Sequence, residues 1–212
     1  MTPVLLLFSG GFDSMLTALL LKEQGFALHA LSINFVGRPR QEICTARKLA
    51  RRNPLFMNFV EFKLDWIDNA PQTKTGKTHP SEPAAGSIPY RNLVFWSVAV
   101  LVASRHGIRT VAGGHTNRDA AHYTDASPEF FQKLRALTAY SGGSALAPQM
   151  IFRLPLQEIP SDSYEVTVRQ NLPLLQKTWS CWLNGKQPCR SCYACIERER
   201  YLRARDCLNH SE

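Results

Sequence analysis

The chain opens with an apolar run at residues 4–8, breaks at Ser9-Gly10-Gly11, and resumes with helically spaced apolar positions from 13 to 24. A short continuous apolar run followed by a 3.6-residue period reads as a buried strand feeding a helix. The alternation continues along the chain. Residues 27–35 predict a second strand, 40–52 an amphipathic basic helix with Ile43, Ala46, Leu49 and Ala50 on one side, and 56–64 a third strand of period two. Residues 68–89 carry several prolines and no hydrophobic period, so they predict a loop, and a loop of that length inside a domain points to function. A helix at 93–105, a strand at 107–114, a helix at 127–142 and a strand at 149–156 follow. Strands and helices in this order predict an α/β fold: a Rossmann-like, parallel five-stranded sheet with helices on both faces. The composition shifts near Lys177, which divides the chain into an α/β domain at 1–176 and a cysteine-rich appendage at 177–212.

Composition narrows the class only moderately. The 212 residues are 44% hydrophobic and 20% charged, which excludes disordered and collagen-like chains. The formal net charge of +8 suits an anionic substrate or partner without choosing among nucleotides, nucleic acid and acidic metabolites. The apolar stretch at 93–103 is too short to span a bilayer, and the opening residues lack the charged region and cleavage site of a secretory signal, so a cytoplasmic protein without membrane attachment is expected.

Two motifs carry chemistry. The first is Ser9-Gly10-Gly11-Phe12-Asp13-Ser14, placed where the first strand meets the first helix. Glycines allow close backbone approach, successive N–H groups form an anion nest, and the helix N-terminus adds its dipole. Such a loop suits phosphate, with Asp13 placed for Mg²⁺. It lacks the Gly-Lys-Ser/Thr ending of a Walker A loop, and it resembles the pyrophosphate loop of the ATP pyrophosphatase superfamily, the adenine nucleotide alpha hydrolases. The second motif is Cys181, Cys189, Cys192 and Cys195, spaced C-x7-C-x2-C-x2-C. Cys-x2-Cys steps bring two thiolates from one turn to the same metal, and four soft ligands point to structural Zn²⁺. An iron–sulfur cluster is the rival metal centre for that spacing. Cys44 and Cys207 stand alone in helical context and read as free cysteines packed as small apolar residues.

Taken together, the segments LFSGGFDSMLTALLL, FVGRPRQEICTARKLA, IPYRNLVFWSVAV, GGHTNRDAAHYTDASPEFF and TWSCW…PCRSCYACIERE resemble the 7-cyano-7-deazaguanine synthase family, QueC, over nearly the whole chain. The resemblance implies adenylation of 7-carboxy-7-deazaguanine by ATP with Mg²⁺, release of pyrophosphate, capture by ammonia to give an amide, and a second activation that yields the nitrile, preQ0. It implies an ATP site at Phe8, Ser9, Gly10, Gly11, Phe12, Asp13, Ser14, Met15, Asn34 and Gly114. It implies catalytic roles for Asp13, Arg91 and Asp119, and substrate contacts from Arg91, Asn92, Tyr123 and Asp125. Zinc on the four cysteines and a homodimer are implied as well.

The chain also departs from that pattern. Thr124-Asp125-Ala126-Ser127 stands where the family has Pro-Asp-Cys-Arg, and Ser161-Asp162-Ser163 stands where a phosphate-binding lysine is usual. The lost thiol and guanidinium leave an alternative open: a ligase branch that stops at the amide and uses an amine on a protein acceptor, in an antiphage-defence setting. A tRNA-modifying enzyme of the same superfamily is a further alternative. It is disfavoured because the basic stretches have few interleaved aromatics and the length leaves no separate RNA-binding domain, so nucleic acid is the weaker partner class. A non-catalytic module that kept the tail for binding is opposed by the intact Ser-Gly-Gly-x-Asp-Ser loop.

Overall fold

The computed structural model describes residues 1–68, 81, 88–141 and 149–203, apart from the side chains of 66–68, 161–162 and 203. Most of the loop expected at 68–89, and Cys207, lie outside the described residues.

Five parallel strands make one sheet in the order β3-β2-β1-β4-β5, as the alternating pattern predicts. The strands are β1 (Pro3–Leu7), β2 (Ala27–Val36), β3 (Phe56–Asp68), β4 (Thr110–Ala112) and β5 (Ile151–Arg153). Alternation along β1 assigns its two faces: Val4 and Leu6 join one apolar cluster and Leu5 the other. The first cluster takes α1 (Phe12–Glu23) and α2 (Arg40–Arg52); the second takes α3 (Arg91–Arg105) and α5 (Pro128–Ser141). Helix α1 is buried at Phe12 and at every residue from Ser14 to Leu21. An apolar helix of that kind must be covered on more than one side. The short helices α6 (Pro155–Glu158), α7 (Glu165–Gln170) and α8 (Leu172–Leu175) supply the outer cover.

Several boundaries differ from the sequence reading. Helix α1 begins at Phe12 and α3 at Arg91, while β3 runs on to Asp68. The strand expected at 107–114 shrinks to Thr110–Ala112, with the Gly113 N–H still donating to the Arg153 carbonyl of β5 at 3.1 Å. A Cβ on Gly113 would stand 2.6 Å from the Trp96 ring, so glycine is what lets the chain pass there. Trp96 is fully buried beneath it, edge-on to Phe131 and Phe152 at 4.8 and 5.5 Å. Each such aromatic pair contributes about 0.5–1.5 kcal/mol beyond its buried area. The strand expected at 149–156 shrinks to Ile151–Arg153, since Pro155 cannot donate to a ladder and instead starts α6. Helix α4 (Asn117–His122) was not anticipated; a capping box between Thr116 and Asp119 starts it. In the appendage, α9 (Tyr193–Arg203) returns to the α/β domain, where Tyr201 and Leu202 pack on the first cluster.

Candidate active site

The Ser9–Gly11 turn is held from three directions. Gly10 has φ +84°, and a Cβ there would lie 2.6 Å from the Ala46 backbone nitrogen on α2, so only glycine fits. Ser9 Oγ accepts from the Gly11 N–H at 3.1 Å and lies 3.1 Å from Ser14 Oγ. Ser14 Oγ donates to the Gly11 carbonyl at 3.0 Å, which leaves Ser9 as the donor between the two hydroxyls. From below, Arg38 Nη2 donates to the Ser9 carbonyl at 2.6 Å. The Arg38 side chain is 2% exposed, and a guanidinium that deep is tolerated only when fully partnered. Its Nη1 donates to Ser32 Oγ, the Ile33 carbonyl and Asn34 Oδ1 at 2.8–2.9 Å, and Glu42 lies 3.2 Å from Nη2.

The loop opens on a cleft of about 380 Å³ at the carboxyl ends of β1 and β4. The strand order changes direction between these two strands, which is where open α/β sheets bind ligands. Gly114 forms part of its wall, and a Cβ there would stand 2.9 Å from the Ser14 nitrogen, so β4 can approach the start of α1 only through glycine.

One half of the cleft carries Arg91, Asn92, Phe95, His115, Tyr123 and Asp125. Tyr90, in the left-handed region at φ 61°, turns the chain into α3. Asn92 Nδ2 donates to the Asp125 carbonyl at 3.3 Å and ties α3 to the 3₁₀ turn Thr124–Ala126. Gln157 on α6 holds the far side of that segment through the Thr116 and Ala126 carbonyls. Burial lowers the Arg91 pKa, with Glu42 and Asp125 opposing the shift. Trp96 Nε1 donates to His115 Nε2 at 3.3 Å, which leaves Nδ1 to carry the proton of the neutral ring, and burial lowers the His115 pKa. The Tyr123 phenol is pushed up to about 12 by burial, with the Asp119 carboxylate adding to it.

The other half joins the loop to the tail. Asp13 lies here, its carboxyl pushed up to about 7 by burial, with Asp119 and Glu197 adding like charge. A cation placed among these groups would reverse that balance. Asp119 Oδ2 accepts from both the N–H and the hydroxyl of Thr116, so one carboxylate oxygen is committed to starting α4. Glu197 on α9 pairs with Arg118 on α4 and with Arg200. The tail also touches the loop directly: Trp179 N–H donates to the Gly10 carbonyl at 3.0 Å, and Phe12 N–H donates to Ser180 Oγ at 3.2 Å. The Phe12 ring stacks on Tyr201 with centroids 5.2 Å apart.

Immediately beyond Ser180, the Sγ atoms of Cys181, Cys189, Cys192 and Cys195 all lie within 4.8 Å of one another. Backbone N–H groups of Leu183 and Cys189 donate to Cys181 Sγ, and that of Cys192 donates to Cys189 Sγ, at 3.3–3.4 Å. Burial pushes the Cys195 thiol up, with the sulfurs of Cys192 and Cys181 adding to it. Convergent sulfurs of this kind form a set of donors that a metal ion can occupy. Cys44 is a free thiol on α2 but is exposed and not packed as expected, since the helix buries Ala46, Leu49 and Ala50 instead.

Of the residues singled out from sequence, Ser9, Gly11, Phe12, Asp13, Ser14, Arg91, Asn92, Gly114, Asp119, Tyr123 and Asp125 line this cleft. Four others do not. Phe8 and Met15 are core residues, Gly10 lies against α2, and the Asn34 amide is engaged by Arg38 and Glu61. The sequence reading missed Arg38, His115, Arg118, Ser180 and Glu197. The Arg38-to-Glu42 spacing of four was a helix-pair signal for the first; the others come together only through the tertiary fold. No helix among the described residues is long and apolar enough to cross a membrane.

The family model described as Queuosine biosynthesis protein QueC matches residues 3–205. The chain is 31% identical over 207 residues to the 7-cyano-7-deazaguanine synthase of Erythrobacter litoralis, covering 92% of this chain and 85% of that one. It is 30% identical over 212 residues to the synthase of Microcystis aeruginosa, covering 93% and 90%. Among solved structures, it is similar to a predicted tRNA methyltransferase subunit from Methanocaldococcus jannaschii, with TM-score 0.54, 22% identity, and coverage of 80% and 76%. NMN synthetase from Francisella tularensis gives TM-score 0.50 and 15% identity, covering 100% and 87%. The structural likenesses speak for the fold, and the sequence match over nearly the whole chain makes this protein a member of the QueC family.

Proposed function

We propose that this protein is an ATP-dependent carbon–nitrogen ligase that activates 7-carboxy-7-deazaguanine. The observation that carries the reading is the meeting, in one cleft, of the Ser9–Ser14 loop with Arg91 and Asn92, in a chain whose relatives are named 7-cyano-7-deazaguanine synthase. In the first step a carboxylate oxygen of the acid attacks the α-phosphorus of ATP, the α–β bridge breaks, and pyrophosphate leaves. Ammonia or another amine then attacks the acyl carbon, AMP departs with the bonding pair, and a proton is lost from nitrogen to leave an amide. A nitrile requires a second turn: the amide oxygen attacks the α-phosphorus of a second ATP, pyrophosphate leaves, and the carbon–oxygen bond to AMP then breaks as the nitrogen loses its two protons.

The residues divide this work by position. The loop amides and the Ser9 and Ser14 hydroxyls hold the pyrophosphate end, and Asp13 accepts Mg²⁺ with Asp119 beside it. Arg91 pairs with the acid, and Tyr123, Asn92 and the 3₁₀ turn shape its pocket. Holding the two reactants in line while excluding water supplies much of the rate, since a mixed anhydride hydrolyses when wet. The four cysteines fit Zn²⁺: with bonds of about 2.3 Å a tetrahedron has edges of about 3.8 Å, and Cys189 Sγ lies 3.9 Å from Cys195 Sγ. A cubane cluster carries each thiolate on a different iron and spreads the sulfurs further apart, so the spacing favours one ion.

One observation favours a second reading, in which the reaction stops at the amide with an amine on a protein acceptor. Ala126 and Ser127 stand where the family pattern has Cys and Arg. Ala126 has no reactive group, and the Ser127 hydroxyl accepts from the Phe130 N–H and donates to the Thr124 carbonyl, which commits it to starting α5. The test is incubation with ATP, Mg²⁺ and 7-carboxy-7-deazaguanine, with and without ammonium. AMP and pyrophosphate are expected, and mass spectrometry distinguishes nitrile, amide and a mass added to a co-expressed protein. ADP and phosphate, or no acid-dependent turnover, would overturn the proposal.

A further inference from the structure

The first turn of α1 has amides with no partner of its own. Gly11 at the N-cap position has no side chain to accept from them, and the early N–H groups of any helix lack intrahelical acceptors. In this protein the Phe12 N–H is met from 168 positions away, by Ser180 Oγ. The Asp13 N–H is met by its own carboxylate, and the Ser14 amide has no acceptor among the described residues. Ser180 lines the same cleft, and its hydroxyl has a proton still to give, since a serine both accepts and donates. The tail packs directly over Gly11: a Cβ there would make ordinary contacts of 3.5 Å with the Trp179 carbonyl and 3.6 Å with Ser180 Oγ.

Ser180 is also one bond-step from the cysteine cluster. The carbonyl of Cys181 accepts from Trp179 Nε1 at 3.0 Å, while the Trp179 backbone N–H reaches back to the Gly10 carbonyl. Three consecutive residues therefore run from the nucleotide loop to the first sulfur. We propose that Ser180 is a phosphate-binding residue contributed by the tail, and that metal at the four cysteines and nucleotide at the loop strengthen each other's binding through it. The inference rests on the ATP site proposed above. An anion seated on the Ser14 amide takes the Ser180 hydroxyl as a second donor, and the metal fixes the backbone that presents it. Binding equilibria so linked are reciprocal: the factor by which metal tightens nucleotide equals the factor by which nucleotide tightens metal.

The experiment uses the full chain loaded with zinc. Calorimetry with Mg²⁺ and the non-cleavable α,β-methylene ATP gives nucleotide affinity, and equilibrium competition with a chromogenic chelator gives zinc affinity with and without that nucleotide. Ser180→Ala is expected to keep one zinc per chain while weakening nucleotide by about tenfold, the effect of one hydrogen bond to a charged oxygen. Ser180→Thr, which keeps the hydroxyl, restores it. In the wild type, nucleotide raises zinc affinity severalfold, and in Ser180→Ala it does not. Unchanged nucleotide affinity in Ser180→Ala, or zinc affinity in the wild type indifferent to bound nucleotide, overturns the inference while leaving the ATP site standing. A zinc-loaded wild type that binds no nucleotide overturns both.

Discussion

Replacing Asp13 by Asn is expected to make the nucleotide-free protein more stable, increasingly so at alkaline pH, while destroying its activity. The Asp13 carboxyl is partly buried on the cleft wall and pushed from 3.8 to about 7, by burial first and by Asp119 and Glu197 second. Because the folded pKa is raised, the folded state holds a proton between those two values that the unfolded chain releases. Stability is therefore complete below pH 3.8, declines as pH rises, and levels off above about 7. At about 1.36 kcal/mol per pH unit, the penalty works out to about 3 kcal/mol at pH 6 and about 4 kcal/mol at pH 8.5. Asn cannot ionise and escapes it. Urea unfolding of zinc-loaded protein in Mg²⁺-free buffer should show Asp13→Asn ahead of wild type, with a gap that widens by about 1.4 kcal/mol from pH 6 to pH 8.5. A gap independent of pH, or a variant less stable than wild type at pH 8.5, would refute the reasoning. Loss of acid-dependent AMP release in the same variant ties the destabilised carboxylate to function, the usual exchange of stability for activity at a working site.

Arg38→Met should destabilise by about 3–5 kcal/mol, the range for breaking a buried ion pair, and adding Glu42→Gln should recover part of it in a double-mutant cycle; additivity of the two would disprove their coupling. Cys192→Ser should lose zinc and melt at lower temperature, because a structural site binds only the folded chain; a zinc-free variant of unchanged melting temperature and activity would contradict that, and iron with visible charge-transfer absorbance would contradict zinc. A homodimer is expected from the exposed apolar side chains Leu101, Leu137, Tyr140 and Ile151 on α3, α5 and β5; light scattering at monomer mass across working concentrations would exclude it.

Local pattern carried the sheet because each parallel strand is a short apolar run and each helix has its own period. It failed where the chain's path depends on distant neighbours. Thr110–Ala112 looked longer because the glycines after it are read as strand ends, yet Gly113 answers to the Trp96 ring from α3, which leaves no room for a Cβ there. The Ser9–Ser14 loop was legible because its chemistry is contiguous in sequence. Arg38 was not: its spacing of four to Glu42 hinted at a pair, but nothing local distinguishes a buried guanidinium from a solvated one such as Arg51. Asp119 was legible in part: its position pointed to the cleft, which it lines, but not to the capping of a helix too short for periodicity to reveal, which one of its oxygens also does. Ser180 and Glu197 stand in a segment whose cysteines dominate any reading, and only the return of α9 brings them to the cleft.

The two halves of the cleft differ in how they are built, and the difference bears on the unfamiliar 124–127 segment. The phosphate half rests on Gly10 wedged against α2, on Arg38 beneath Ser9, and on the tail above Phe12. The opposite half depends on a 3₁₀ turn held by single hydrogen bonds from Asn92 and Gln157. Substitution in that turn leaves the loop's own contacts untouched, because none of the bonds holding Ser9–Ser14 comes from residues 124–127. On the proposed reading, activation of an acid by ATP can persist while the fate of the activated acyl group changes. The family's Cys and Arg are replaced here by a methyl group and by a hydroxyl committed to α5, so this turn offers the activated acid neither a thiol nor a guanidinium. The nucleophile must then come from solution or from a partner, which is why product mass, and not ATP consumption, separates the synthase from the protein-acceptor ligase.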